Sequence, residues 1–157
     1  MKRIVVGVDG SEGAARALGW ASRLAGEEGA EIVAVYALGP LEDLARGAAE
    51  AVSTGLGLST SRPAWRKQLR QELEAWCAPL RAAGLPYRAH LEMAPAADGL
   101  MAVADREDAD LIVVGAHGHG GLEDRVLGSV GFRLGHRAHK PVVIVPPDLR
   151  DMGALAG

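Results

Sequence analysis

Apolar residues along this chain gather in five short runs, separated by longer stretches in which they recur every three or four positions. The runs are Ile4 to Val8, Glu31 to Leu38, Tyr87 to Glu92, Leu111 to Val114 and Val142 to Val145. Each is too short for an ordinary helix and is bounded by turn-forming residues, so each predicts a strand. Ser11 is suited to cap a first helix running to about Gly26, with Ala14, Ala17, Leu18, Ala21, Leu24 and Ala25 on its inner stripe; Gly29 then releases the chain. Pro63 opens a second helix that presents Trp65, Leu69, Leu73, Trp76 and Leu80 on one face and ends at Gly84. Pro79 falls inside that pattern without an amide donor, which predicts a kink in the last turn. A third helix starts at Pro95 and carries Leu100, Met101 and Ala104, and a fourth starts at Gly128-Ser129 with Val130, Leu134 and Ala138 at helical spacing.

Strand and helix units alternate throughout. Nearly continuous apolar strands in that arrangement imply a parallel sheet covered on both faces and joined by right-handed crossovers. The expected fold class is α/β: a single open parallel five-stranded sheet with helices on both faces. A chain of 157 residues that is 48% hydrophobic builds one core, so residues 1–147 read as a single domain and 148–157 as a frayed tail. The connection after strand two is long. In it, Leu41, Leu44, Ala48 and Val52 suggest a short amphipathic helix ahead of a Gly-, Ser- and Thr-rich stretch from Ser53 to Ser61, read as a mobile, solvated loop in preference to a lid.

Charge narrows the partners. The 17 basic and 20 acidic residues are well mixed and leave a net charge of −3, with no basic stripe of the kind that tracks a phosphate backbone, so no nucleic acid is expected. Cys77 is the single cysteine, which excludes an internal disulfide, fits a reducing compartment and reads as an inert packed thiol. Lys2 and Arg3 precede an apolar stretch, but Asp9 and Glu12 interrupt it before a signal-peptide core can form. With no run approaching a membrane span, a cytoplasmic location is expected and no membrane partner.

The richest chemistry lies between residues 111 and 145. Strand four runs directly into Gly115, Gly118, Gly120 and Gly121, and the loop closes at Gly128-Ser129, where a helix begins. The first amides of that helix have no intrahelical acceptor, so an anion can satisfy them. Glycines at a strand exit could serve turn geometry alone; the pair at 115 and 118 with a later Gly-Ser helix start favours anion binding. A phosphate-loop lysine is missing, and no GxGxxG fingerprint is formed, so neither ATPase nor hydride-transfer machinery is legible. His117 and His119 alternate as a metal pair would, but no third ligand lies nearby in sequence; phosphate or solvent contact is the better reading. His136 and His139 carry no functional case, and no acid-base pair is recognisable.

Gly115-x-x-Gly118, a gap of nine residues, Gly128-Ser129 and the following Pro141-Val-Val-Ile-Val-Pro resemble the signature of the universal stress protein family. The opening Ile4-Val5-Val6-Gly7-Val8-Asp9-Gly10-Ser11 is similar to that family's first strand and turn. The resemblance implies a strand order of 3-2-1-4-5, whose reversal between strands one and four creates the switch point at which open α/β sheets bind ligands. It also implies an adenine nucleotide, ATP above all, held with Asp9 near ribose and phosphates and with Ala37 beside adenine. The dipole of the following helix and the Ser11 cap offer Asp9 a purely structural role as the competing reading. The expected nucleotide site is Val8, Asp9, Ala37, Gly115, His117, Gly118, His119, Gly120, Gly128, Ser129 and Val130. Glu123 and Asp124 depart from the family pattern; only Arg125 offsets them, which makes Mg2+ a candidate companion of the phosphates. The implied activity is a nucleotide-state-dependent regulatory module with at most slow hydrolysis. The alternatives are a metal-dependent hydrolase or phosphoryl-transfer enzyme using Asp9, and a stress-associated dimer with an empty site. Homodimerisation is expected through Val142 to Val145, an apolar edge bounded by Pro141 and Pro146.

Overall fold

The computed structural model describes residues 1–41, 44–45, 48–49, 52, 58–117 and 127–148, with backbone only for 58–65. In chain order the elements are β1 (Arg3–Gly7), α1 (Glu12–Glu28), β2 (Glu31–Ala37), α2 (Leu58–Trp76), α3 (Ala78–Ala82), β3 (Tyr87–Glu92), α4 (Ala96–Arg106), β4 (Leu111–Gly115), α5 (Ser129–Arg137) and β5 (Val142–Val145). The strands form one all-parallel sheet in the order β3-β2-β1-β4-β5. Val5 of the central strand pairs with Val33 on one side and Ile112 on the other.

Strand alternation sorts the core into two layers. Ile4, Val6, Ile32, Ala34, Leu111 and Val113 face α1, α2 and α3, whereas Val5, Val33, Val35, Ile112 and Val114 face α4 and α5. Both faces are therefore covered, as unbroken apolar strands require. Burial of each Ile or Val contributes about 1.5–3 kcal/mol. Ser11 caps α1 by accepting the Ala14 N–H at 3.2 Å, and Gly29 ends it in the left-handed region at φ 67. That conformation costs glycine little.

Three local expectations need correction. α2 starts at Leu58, not at Pro63; the proline sits in its second turn, where it forfeits one donor without ending the helix. Ser59 to Ser61 are therefore helical and not loop. The Pro79 kink is a full break: α2 ends at Trp76, and α3 restarts after Cys77 with the proline in its first turn, where a missing N–H costs nothing. The described residues of the preceding connection, among them Leu41, Leu44, Ala48 and Val52, are helical, yet Leu41 and Val52 are 82% and 85% exposed, so this stripe does not join the core. Residues 53–57 and the tail from 149 lie outside the described residues. Among the described residues no helix is long and apolar enough to cross a membrane.

The amino-terminal edge of the sheet is laced by charge. Glu31 accepts Arg88 Nε at 2.8 Å and Arg3 Nε at 3.1 Å, and Arg88 reaches Glu107 at 2.7 Å, joining β1, β2, β3 and the end of α4. The hydrogen bonds from Arg88 above all, with those from Arg3, hold the Glu31 carboxyl below its usual range although partial burial opposes them.

Candidate functional site

Functional geometry concentrates at the opposite, carboxyl edge. β1 feeds α1 on one face of the sheet while its neighbour β4 feeds α5 on the other, so the chain departs in opposite directions and leaves a crevice between them. Its lower wall comes from Val35 and Ala37 of β2 and Val114 and Gly115 of β4; Val8, Asp9, Ser11 and Ala14 rise on the α1 side, with Ala96, Leu100, His117 and Val130 around the rest. The cavity volume is about 80 Å³, and the crevice opens from there to solvent. At its base Gly7 is flanked by Leu100 and Val114, and a Cβ there would lie 3.2 Å from each. Small residues at 7, 14, 37 and 96 thus keep the slot deep.

Polar groups are few and placed. Asp9 Oδ1 accepts the Ser11 N–H at 2.9 Å and the Ser11 hydroxyl at 2.5 Å, closing a turn that points the carboxylate at the head of α1. The structural role weighed for Asp9 is therefore present, and the residue lines the crevice as well. Among the described lining residues there is no lysine or arginine. Among the described lining residues, His117 and backbone N–H groups are the donors that could meet negative charge. α5 opens beside the crevice with extended Gly128 as its N-cap and no side chain capping it. Its first amides lack intrahelical acceptors.

Of the expected site residues, Val8, Asp9, Ala37, Gly115, His117 and Val130 converge in this crevice. Gly128 and Ser129 adjoin it at the start of α5 without lining it, and Gly128 donates its N–H to the Ala116 carbonyl at 2.8 Å, which removes that amide as a ready anion donor. Gly118, His119 and Gly120 lie outside the described residues, as do Glu123, Asp124 and Arg125. Two glycines have a packing reason that sequence did not expose. A Cβ on Gly115 would fall 2.5 Å from the Gly13 carbonyl carbon, and one on Gly128 would fall 2.8 Å from the Ala116 oxygen. Close backbone approach between α1, the β4 exit and the α5 cap demands them. Gly7, Ser11, Ala14, Val35, Ala96, Leu100 and Val114 were not anticipated as lining residues. No local signal marks them, because their place depends on how α4 and the strand ends meet.

Among the described residues no group of three His, Cys, Asp or Glu is arranged to hold a metal. Cys77 is fully buried and burial pushes its thiol up to about 11, so the inert reading of this residue fits its surroundings.

Comparison with known proteins gives one consistent result. The profile described as universal stress protein family matches residues 1–146. The universal stress protein MJ0531 of Methanocaldococcus jannaschii is 33% identical over 92% of this chain and 81% of its own. Among solved structures, the protein MJ0577 superposes with a TM-score of 0.75 at 21% identity, covering 92% of this chain and 95% of that one. A universal stress protein in complex with cAMP superposes at 0.67 and 25% identity, covering 92% and 96%.

Proposed function

The chain belongs to the universal stress protein family, and from that premise we propose that it is a binding module for an adenine nucleotide, with ATP as the ligand and nucleotide state as the signal it passes to other proteins. The observation that carries this reading is the convergence, at one switch-point crevice, of Asp9 after β1, Ala37 at the end of β2, Gly115 at the end of β4 and His117 just after it. Val8 and Val130 complete the walls, and Gly128 and Ser129 start the adjoining helix. A deep slot of small apolar side chains suits a flat base, and the start of α5 suits phosphate. A family member of the same fold is known in complex with cAMP, which supports adenine as the shared element. The lack of a lysine or arginine in the described lining makes Mg2+ the natural partner of a triphosphate here. Gly118, His119 and Gly120 belong to the proposed site through the sequence motif.

The test is direct. Purified protein is denatured and the supernatant assayed for nucleotide, then fresh protein is titrated with ATP and cAMP by calorimetry, with and without Mg2+, while phosphate release is followed. One adenine nucleotide bound per chain, with little phosphate released, is expected. No binding at millimolar nucleotide would defeat the reading, and turnover accompanying binding would turn it into the hydrolase alternative.

Homodimerisation through β5 belongs to the same proposal. β5 is the sheet edge and its Val142, Val143 and Ile144 are only partly buried. Val145, by contrast, is 2% exposed and packs in the core, so charge at that position would test folding instead of assembly. In a parallel ladder alternate residues turn their amides outward, and the Pro141 and Val145 carbonyls bond towards β4, which directs the Val142 amide to the open edge. Val142→Pro removes that donor. It should give monomers by light scattering with the fold retained; a persisting dimer places the interface elsewhere.

A further inference from the structure

The turn that carries Asp9 is backed from behind by one aromatic ring. Gly10 stands at φ +80, and the position its Cβ would take lies 2.6 Å from Trp76 Cζ2 and 2.8 Å from Cε2, so the indole edge rests on the Gly10 backbone. The same ring meets Tyr36 edge-on, with centroids 5.0 Å apart and planes at 76°. Tyr36 lies between Val35 and Ala37, the two β2 residues in the crevice wall. Trp76 therefore touches both strand ends that form this side of the crevice. It is itself anchored, because it ends α2 between buried Leu73 and Cys77.

Space beyond the ring sharpens the point. Trp76 and Pro79 wall a second, largely apolar cavity that shares Val8, Ser11 and Ala14 with the crevice. The Val8–Ser11 turn is thus a thin partition, with the crevice on one side and the indole on the other. The ends of the turn are tied down, Val8 by donating its N–H to the Val35 carbonyl at 2.9 Å and Ser11 by capping α1, while the glycine at the apex has wide conformational freedom. Behind that apex stands the ring.

We propose that Trp76 is a positioning residue for nucleotide binding, holding the Asp9–Ser11 turn in its ligand-ready place through contact with Gly10 while bracing Tyr36. This rests on the nucleotide reading of the crevice. No contact between Trp76 and ligand is involved, so the prediction separates ring shape from ring chemistry. Trp76→Ala should weaken ATP binding by about tenfold, the scale of misplacing one charge-assisted hydrogen bond. Trp76→Phe, which keeps an aromatic edge and the Tyr36 contact, should recover most of it.

The experiment measures ATP affinity of wild type, Trp76→Ala and Trp76→Phe by calorimetry, with circular dichroism and urea midpoints confirming the fold of each. A second readout uses a Trp20→Phe, Trp65→Phe background in which Trp76 is the sole emitter. Its emission should shift on ATP addition and saturate with the calorimetric curve. A folded Trp76→Ala with wild-type affinity overturns the proposal, as does emission that stays unchanged through saturation; the second readout decides alone if Trp76→Ala does not fold. A wild-type protein that binds no nucleotide defeats the nucleotide reading and the proposal with it, whereas binding that ignores Trp76 defeats the proposal only.

Discussion

Two glycines in α1, six residues apart, should respond oppositely to the same substitution. Replacing a helical glycine with alanine ordinarily stabilises by about 0.5–1 kcal/mol, because alanine loses less backbone entropy. Gly19 has no heavy atom within 4 Å of the position its Cβ would occupy, so Gly19→Ala should realise that gain. Gly13 faces the β4 exit, and its Cβ would lie 2.1 Å from the His117 carbonyl oxygen. Contacts shorter than 3.0 Å are essentially never seen for real Cβ atoms, and the obstacle here is backbone, with no side chain that could swing away. The first turn of α1 and the His117 segment would have to part by roughly 1 Å, an overpacking cost of about 1–3 kcal/mol and, with backbone on both sides, near the upper end. Offset by the helix-propensity gain, Gly13→Ala should be less stable than wild type by about 2 kcal/mol, or a melting temperature about 4–8 °C lower. Because His117 lines the crevice, ATP affinity should fall with it. Urea unfolding followed by circular dichroism measures both variants. Gly13→Ala at or above wild-type stability, or two variants that shift together, would refute the packing argument.

Further outcomes follow from the same contacts. Gly10→Ala should destabilise by about 1–3 kcal/mol, since residue 10 sits at φ +80 against the Trp76 ring; an unchanged urea midpoint would contradict this. Glu31 has its folded pKa lowered below 4.5, so its contribution is present above the unfolded value and disappears as pH falls through the folded one. Glu31→Gln should therefore be less stable than wild type at pH 7, with the gap closing on acidification below about pH 4.5; a gap constant down to pH 3 would rule this out. Cys77, fully buried with its thiol raised to about 11, should resist a thiol reagent at pH 8 in the folded protein and react at once in urea. Rapid native labelling would show that the α2–α3 break opens.

Sequence alone specified what a short window can encode. The five strands are legible because apolar runs bounded by turn residues admit little else, and Ser11 and Gly29 mark the ends of α1 because capping is settled by a few adjacent atoms. The order 3-2-1-4-5 was not in any window; it came through resemblance carried by the glycine motif, and the sheet bears it out. Asp9 and Gly115 could be named in advance for the same reason. Tertiary structure decided what depends on elements meeting across the fold. The α2 start at Leu58 overrides the local signal of Pro63, because helix propensity is a weak term beside packing. Gly115 is glycine because Gly13, about a hundred residues earlier, presses on it, and Ala96 and Leu100 enter the crevice because α4 lies across the ends of β1 and β2. Trp76, which sequence placed only on an apolar helix face, reaches Gly10 through a contact that arises when α2 packs on the sheet. Periodicity says which way a side chain points along its own element; only the close-packed assembly says what it meets there.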